Sequence, residues 1–546
     1  MSAVPRLRAA GLVLIGLTAT LVSACGGGGG PYAGAPVAGL PPPKVTGALA
    51  GGMSGALLAK ATEPRGAPAA LPAAQFPQAG KSPVMRTAEQ PVSTFSLDVD
   101  TASYALVRRL LNDGRLPPVD AVRIEEMVNY FPYAWPAPEA RSRPLQVSTA
   151  LLPTPWNPDT RLLRIGIRGW APATHERPPA NLVFLIDVSG SMDAPDRLGL
   201  LQKSLGLLVE RLRPEDRVAI VSYAGGVRTV LEPTSGRERT KILAALDGLA
   251  AGGSTAGAAG LEQAYRLARE HFDRQAVNRV ILGTDGDFNV GLSDPAGLAQ
   301  YVSEQRKAGV YLSVLTVGLD NLHDGTAQAL AQAGNGNAAY LDSVQEGRRV
   351  LVEQLAATMI PVADDAKVQV EFNPAEVSEY RLLGYETRAL ARADFTNDAV
   401  DAGDLGVGHT VTALYEITPA GARARIEPGR YEAPAATASN RHPGELAWVK
   451  LRWKQPGAAR SEALAQPVRA ADAFAGIAAA DADTRFAVAV AAFGQWLRQD
   501  TELRGYGIDA IETLAQGARG EDGEGRRAEF VQLVRQAAAL RGAPAR

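Results

Sequence analysis

The chain has 546 residues, which is too long for one ordinary domain and predicts several folded units. Hydrophobic residues make up 46% of the composition and charged residues 21%, which is typical of globular proteins with a substantial core. The 56 Lys and Arg residues nearly balance the 58 Asp and Glu residues, and the formal net charge is -2. No basic stripe is present, so we expect no nucleic-acid partner.

The first 25 residues have the pattern of a secretory signal. Arg6 and Arg8 precede an apolar run over residues 9–22, which is too short to cross a membrane as a helix. The run ends in Val-Ser-Ala-Cys, and Cys25 is the only cysteine of the chain. This ending resembles the bacterial lipobox, which implies lipid attachment to the Cys25 thiol. We therefore expect an exported protein that is lipid-anchored to the cell envelope, and Gly26 favours the outer membrane of a Gram-negative host. The alternative is an ordinary signal peptide with an incidental cysteine.

Residues 26–93 are predicted to form a flexible, disordered tether. The segment is rich in Pro, Ala and Gly, has few aromatic residues and shows no sustained periodicity. Such a composition cannot bury enough apolar surface to offset the entropy that folding costs. Ordered structure is expected from about Thr94.

A small N-terminal α+β module is predicted over residues 94–179. Helical patterns cover residues 102–112 and 119–131. Residues 145–152 are predicted to form a strand, and so are residues 161–168, which alternate between polar and apolar side chains.

Between residues 180 and 362 strands and helices alternate. This pattern predicts an α/β fold with a doubly wound, mostly parallel sheet and helices on both faces. Residues 182–186 form a continuous apolar run, as expected for a strand that is buried on both faces. Leucines then recur at spacings of three and four from Leu198 to Leu212, which indicates a helix packed on the sheet. Further strands are predicted over residues 218–223, 280–284 and 310–317.

The last part of the chain, residues 363–546, is predicted to be a β-rich and helical domain. Its alternating segments lie between loops rich in Gly, Pro and Asp, which favours a β-sheet. Strands are predicted over residues 367–372, 409–417 and 446–453, and helices over residues 471–499 and 526–540.

Polar side chains follow the strands of the predicted parallel sheet at the edge where such sheets bind ligands. Asp187 comes directly after strand 182–186, and Asp285 directly after strand 280–284. Ser189 and Ser191 follow Asp187 at a spacing of two, and Thr255 ends a Gly-Gly-Ser-Thr loop. Two carboxylates and three hydroxyls suit a hard divalent cation rather than zinc or copper. We expect Mg²⁺, with Mn²⁺ or Ca²⁺ as alternatives, and the shell leaves room for a carboxylate from outside.

At these positions the sequence resembles the von Willebrand factor type A (VWA) domain family. Asp187-x-Ser189-x-Ser191, Thr255 and Asp285 match the order and spacing of that family's metal-ion-dependent adhesion site. The resemblance implies that the domain binds a protein partner, which offers an Asp or Glu carboxylate to the metal.

The flanks resemble those of a narrower group, the bacterial lipoproteins that carry a VWA domain between family-specific N- and C-terminal regions. The matching segments are residues 95–104, 123–131 and 284–291. The resemblance covers the chain from about Thr94 to its end.

Three functions are compatible with these features. The first is a binding protein of the cell envelope, and the second is a metal-free structural scaffold in which the same residues only cap turns and helices. The third is a metal-assisted hydrolase. The five histidines show no metal-ligand spacing, and the sequence contains no hydrolase nucleophile motif or phosphate loop. We therefore expect a binding protein and not an enzyme.

Overall fold

The computed structural model describes residues 76–542, except for the ranges 77–79, 98–99, 172–176, 254–256, 287–294, 355–359, 428–429 and 431–440. The predicted signal segment with Cys25, most of the predicted tether, and Thr255 lie outside the described residues. Within the described ranges, no helix combines the length and the apolar character needed to cross a membrane.

The N-terminal flank contains both strands and helices, as predicted. Its elements are β1 (Met85–Arg86), β2 (Val92–Ser96), α1 (Ala102–Asn112), α2 (Ile124–Asn129), β3 (Leu145–Thr154) and β4 (Asn157–Gly169). The prediction for α1 is confirmed with the same bounds, whereas α2 is shorter than predicted because residues 119–121 form a separate 3-10 turn. Ordered structure also begins before residue 93, the predicted end of the tether. The reason is that β1 and β2 find backbone partners late in the chain, which composition cannot reveal.

The central part of the chain has the predicted α/β fold. Its strands are β5 (Ala180–Asp187), β6 (Arg217–Tyr223), β7 (Val227–Ser235), β8 (Val277–Thr284), β9 (Val310–Val317) and β10 (Ala338–Leu341). Its helices are α3 (Leu198–Val209), α4 (Arg239–Asp247), α5 (Gly257–Glu270), α6 (Pro295–Lys307), α7 (Asp324–Ala333) and α8 (Val344–Arg348). The described strands form one sheet in the order β10-β9-β8-β5-β6-β7, parallel except for the edge strand β7.

Strand β5 lies in the middle of this sheet and packs on helices at both faces. Phe184 belongs to the apolar cluster that contains Leu201 of α3, and its neighbour Leu185 belongs to the cluster that contains Tyr265 of α5. Successive side chains of a strand point to opposite faces, so a strand covered on both sides needs an unbroken apolar sequence. The prediction from the run at 182–186 is confirmed.

The C-terminal flank is β-rich and then helical, as predicted. Its strands are β11 (Pro361–Phe372), β12 (Val377–Leu382), β13 (Gly403–Gly406), β14 (Thr410–Pro419), β15 (Glu445–Lys454) and β16 (Ser461–Arg469). Its helices are α9 (Ala482–Leu497), α10 (Ile508–Gly517) and α11 (Arg526–Gly542). Helix α9 begins later than the predicted residue 471 because the Asp481 side chain caps it, accepting a hydrogen bond from the Thr484 N–H at 2.7 Å.

The two flanks, predicted as separate units over residues 94–179 and 363–546, share their sheets and their core. One sheet has the order β1-β12-β14-β4-β3, and in the other β2 pairs with β11 beside β13, β15 and β16. Helix packing joins them as well, since Phe131 contacts both Phe486 of α9 and Phe530 of α11. Pairing between strands more than 200 residues apart leaves no local pattern in the sequence, so the prediction could not show it.

Buried ion pairs hold the central fold against the flanks. Glu346 of α8 accepts hydrogen bonds from Arg349 at 2.6 Å and from Arg108 of α1 at 2.8 Å, and all three side chains are buried. Burial alone would raise the pKa of Glu346, but the charges of Arg349 and Arg108 outweigh it and lower the pKa to about 2. Removing the carboxylate would leave two buried guanidinium groups without this partner.

We expect Glu346→Gln to lower the free energy of unfolding by about 3 kcal/mol at pH 7. Because folding lowers the pKa of Glu346, its stabilisation is present above the ordinary pKa of a glutamate and is lost as the pH falls toward 2. Denaturant unfolding of the wild type and the variant between pH 7 and pH 3 should therefore show a shrinking difference. Glu529, which contacts Arg108 at 3.1 Å but is 37% exposed, provides the control. Glu529→Gln should cost less than about 1 kcal/mol, and a pH-independent Glu346→Gln effect would contradict the assignment.

Candidate metal centre

The candidate site lies at the carboxyl edge of the central sheet, where β5 and β8 end side by side. The two strands are parallel neighbours, and Ile186 pairs with Gly283. Asp187 and Asp285 therefore leave adjacent strands at the same edge. Both side chains are buried, with 0% exposure.

The loop after β5 folds back on the first carboxylate. The Ser189 N–H donates to Asp187 Oδ1 at 2.8 Å, and the Ser189 and Ser191 hydroxyl oxygens lie 3.1 Å apart. Ser189 is buried and Ser191 is half-buried. The spacing of two in the sequence thus brings one carboxylate and two hydroxyls into one cluster.

The loop after β8 contacts both Asp187 and the loop after β9. The Thr284 hydroxyl donates to Asp187 Oδ2 at 3.3 Å and accepts from the Gly286 N–H at 3.1 Å. Gly286 has a φ of +101°, and a Cβ there would lie 2.5 Å from the Asn321 carbonyl oxygen. Only glycine fits this conformation and this close approach. The glycine at position 286 therefore determines the backbone conformation next to Asp285.

The charge of Asp187 is poorly compensated by protein groups. Burial raises its pKa, and the neighbouring Asp285 carboxylate adds to the effect, while hydrogen bonds from Ser189 oppose it. A divalent cation would supply the missing positive charge, and the oxygen atoms of the cluster are the donors that hard cations prefer. The residues present fit such an ion.

The third predicted loop reaches the first just before Thr255, which itself lies outside the described residues. The Gly190 N–H donates to the Gly253 carbonyl oxygen at 3.0 Å, and the Gly252 N–H donates to the Val188 carbonyl oxygen at 2.7 Å. These two bonds join the loop that carries Thr255 to the loop that carries Ser189 and Ser191.

Three polar residues of the site were missed by the sequence prediction. Arg197 Nη1 donates to Asp285 Oδ2 at 3.1 Å and to the Ser191 carbonyl oxygen at 2.5 Å, and Arg197 Nη2 donates to Asp320 Oδ2 at 2.8 Å. Asn321 Nδ2 also donates to Asp285 Oδ2, at 3.3 Å. Asp320 and Asn321 follow β9, so the rule about carboxyl ends of strands could have found them. Arg197 precedes α3 and carries no such signal.

Among the five predicted ligands of the candidate centre, only Asp187 and Asp285 are carboxylates. In the part of the chain that the structure describes, no group of three or more His, Cys, Asp or Glu side chains is arranged to hold a metal ion. Asp187, Ser189, Ser191 and Asp285 lie in one connected network nevertheless, through the contacts with Thr284 and Arg197. A site of this composition keeps an ion electrophilic toward an outside oxygen.

Three family models match successive parts of the chain. A model described as von Willebrand factor matches residues 71–164, and a von Willebrand factor type A domain model matches residues 182–287. A model of the C-terminal region of the uncharacterized protein YfbK matches residues 357–540. The second of these matches includes all five predicted metal ligands.

Similar proteins extend the match over most of the chain. The uncharacterized protein YfbK of Escherichia coli (strain K12) is 45% identical over 467 residues, which cover 84% of this chain and 80% of that protein. The uncharacterized protein sll0103 of Synechocystis is 29% identical over 187 residues, which cover 34% of this chain and 43% of that protein. Among solved structures, a von Willebrand factor type A protein from Catenulispora acidiphila aligns with 72% of this chain and 89% of its own, at 18% identity and a TM-score of 0.40.

Proposed function

Because the chain belongs to the YfbK family and contains a VWA domain, we propose that it binds a protein partner through a divalent cation held at the candidate centre. The VWA domain supports a role in protein interaction. We propose that the ligands of the ion are Asp187, Ser189, Ser191, Thr255 and Asp285, with Mg²⁺ as the expected metal.

The observation that carries this proposal is the buried Asp187 carboxylate beside the Ser189 and Ser191 hydroxyls. Burial and the nearby Asp285 raise the pKa of Asp187, so its negative charge is costly without a cation. The ion would supply a Lewis-acidic centre with open positions, because the protein offers few anions to it. An Asp or Glu carboxylate from a partner would fill one of these positions.

We further propose that the protein works at the cell envelope, anchored through lipid on Cys25. The support is the charged start, the apolar run over residues 9–22 and the Val-Ser-Ala-Cys ending. Gly26 favours the outer membrane. A tether rich in Pro, Ala and Gly would give the folded part freedom to reach its partner.

A pull-down from envelope extracts tests the proposal. We expect the wild-type chain to retain a partner in Mg²⁺ and to release it in EDTA, since the ion forms the bridge. Asp187→Asn should retain nothing above background in either buffer. Asp216→Asn is the matched control, because Asp216 is a buried aspartate of the same fold that pairs with Arg177 just before β6. Retention that survives EDTA and Asp187→Asn would contradict the metal bridge and favour a metal-free scaffold.

A further inference from the structure

Arg197 places a positive charge inside the candidate metal centre. Its guanidinium group bridges three loops, by donating to the Ser191 carbonyl oxygen, to Asp285 and to Asp320. The side chain is only 9% exposed, so its charge is weakly screened by solvent. Asp320 is 65% exposed, and its charge is therefore screened well. The strong pairing of Arg197 is with the buried Asp285.

The fold makes a specific space for this side chain. Gly318, directly after β9, has a φ of +71°, and a Cβ at that position would lie 2.7 Å from Arg197 Nε. Any other residue would collide with the guanidinium stem. The glycine thus leaves room for a buried guanidinium group, which is held in place by its hydrogen bonds to Ser191, Asp285 and Asp320.

We infer that Arg197 is a built-in counter-cation that neutralises Asp285 in the metal-free protein and thereby weakens the binding of the divalent cation. This inference rests on the proposed function and concerns the regulation of the same site. Without an ion, the two buried carboxylates would repel each other, and Arg197 relieves that repulsion for Asp285. When an ion enters, it meets a site whose net charge is one unit less negative. Arg197 therefore keeps the loops in place before binding and raises the metal concentration that binding requires.

Isothermal titration of the full-length chain with Mn²⁺ tests the inference. Arg197→Gln keeps a polar side chain but removes the charge, so it should bind Mn²⁺ at least about tenfold more tightly than the wild type. Arg197→Met serves as a second neutral variant and should tighten binding too. Arg197→Lys keeps the charge and should stay within about threefold of the wild type.

Arg177→Gln is the matched control, because Arg177 pairs with a buried aspartate, Asp216, near the amino ends of β5 and β6. It should leave the Mn²⁺ affinity unchanged. Thermal unfolding provides a second readout: in EDTA the neutral variants should unfold at a lower temperature than the wild type, and Mn²⁺ should raise their unfolding temperature by more.

Two results would overturn the inference while leaving the proposed function intact. One is Mn²⁺ binding by the wild type that is not tightened in Arg197→Gln and Arg197→Met. The other is equal tightening in Arg197→Lys, which would show that the charge is not the cause. If neither the wild type nor the neutral variants bind Mn²⁺, the proposed metal centre fails and this inference fails with it.

Discussion

Asp187→Asn should abolish divalent-cation binding while the fold stays intact. The substitution removes the one carboxylate that lies within the Ser189 and Ser191 cluster, so the affinity for Mg²⁺ or Mn²⁺ should fall at least about 100-fold. The asparagine side-chain oxygen can still accept the hydrogen bond that the Ser189 N–H gives to Asp187. Burial raises the pKa of Asp187, which means that the folded protein disfavours its charge. The variant should therefore be at least as stable as the wild type in EDTA.

The buried Asp216 provides the contrast. Arg177 and the backbone N–H groups of Arg213 and Ala180 donate to this carboxylate. Burial would raise the pKa of Asp216, but these hydrogen bonds, the one from Arg177 first, and the Arg177 charge lower it. Asp216→Asn should therefore cost about 3 kcal/mol of unfolding free energy but leave the cation affinity unchanged. Titration calorimetry and thermal unfolding of both variants separate the two roles. Equal cation affinity in Asp187→Asn and the wild type would remove Asp187 from the metal centre.

Cys25→Ser should shift the protein from the membrane fraction to an unprocessed or released form. The thiol is the group to which the lipid would be attached, and a serine hydroxyl cannot replace it. The expected change is close to complete, because Cys25 is the only cysteine of the chain and no second thiol can take its place. Fractionation measures the share of the protein in the membrane, and labelling with a clickable fatty acid measures the attachment of lipid.

Gly26→Asp is the companion variant for the anchor. It keeps the cysteine, so it should remain labelled and membrane-bound, but in a Gram-negative host it should move from the outer to the inner membrane. A Cys25→Ser protein that is processed and fractionates like the wild type would contradict the lipoprotein assignment.

Much of the central fold could be predicted because its signals are local. The apolar run at 182–186 and the leucines of α3 follow from burial on one or both faces, and each is visible within a few residues. Asp187 and Asp285 could be placed at the same edge because parallel strands end on the same side. Even so, the edge strand β7 and the short strand β10 were missed, since neither has a strong alternating pattern.

The joining of the flanks could not be predicted from local signals. β4 pairs with β14 along eight residues, from Thr410 opposite Arg168 to Ile417 opposite Arg161. In the sequence, however, β4 precedes the entire central fold and β14 follows it. Each strand looks like a half-buried strand by itself, and nothing in its sequence identifies its partner. The role of Arg197 was hidden for a similar reason, because its contacts come from three loops that only the fold brings together.

Diffraction from crystals soaked in Mn²⁺ would locate the bound cation itself. Data collected at the manganese absorption edge should show one anomalous peak at the carboxyl edge of the central sheet, about 2.2 Å from the Ser189 and Ser191 hydroxyl oxygens. The peak should vanish in Asp187→Asn and persist in Asp216→Asn. A crystal of the wild type with no peak at this edge, or a peak that remains in Asp187→Asn, would show that Asp187 does not hold a cation there.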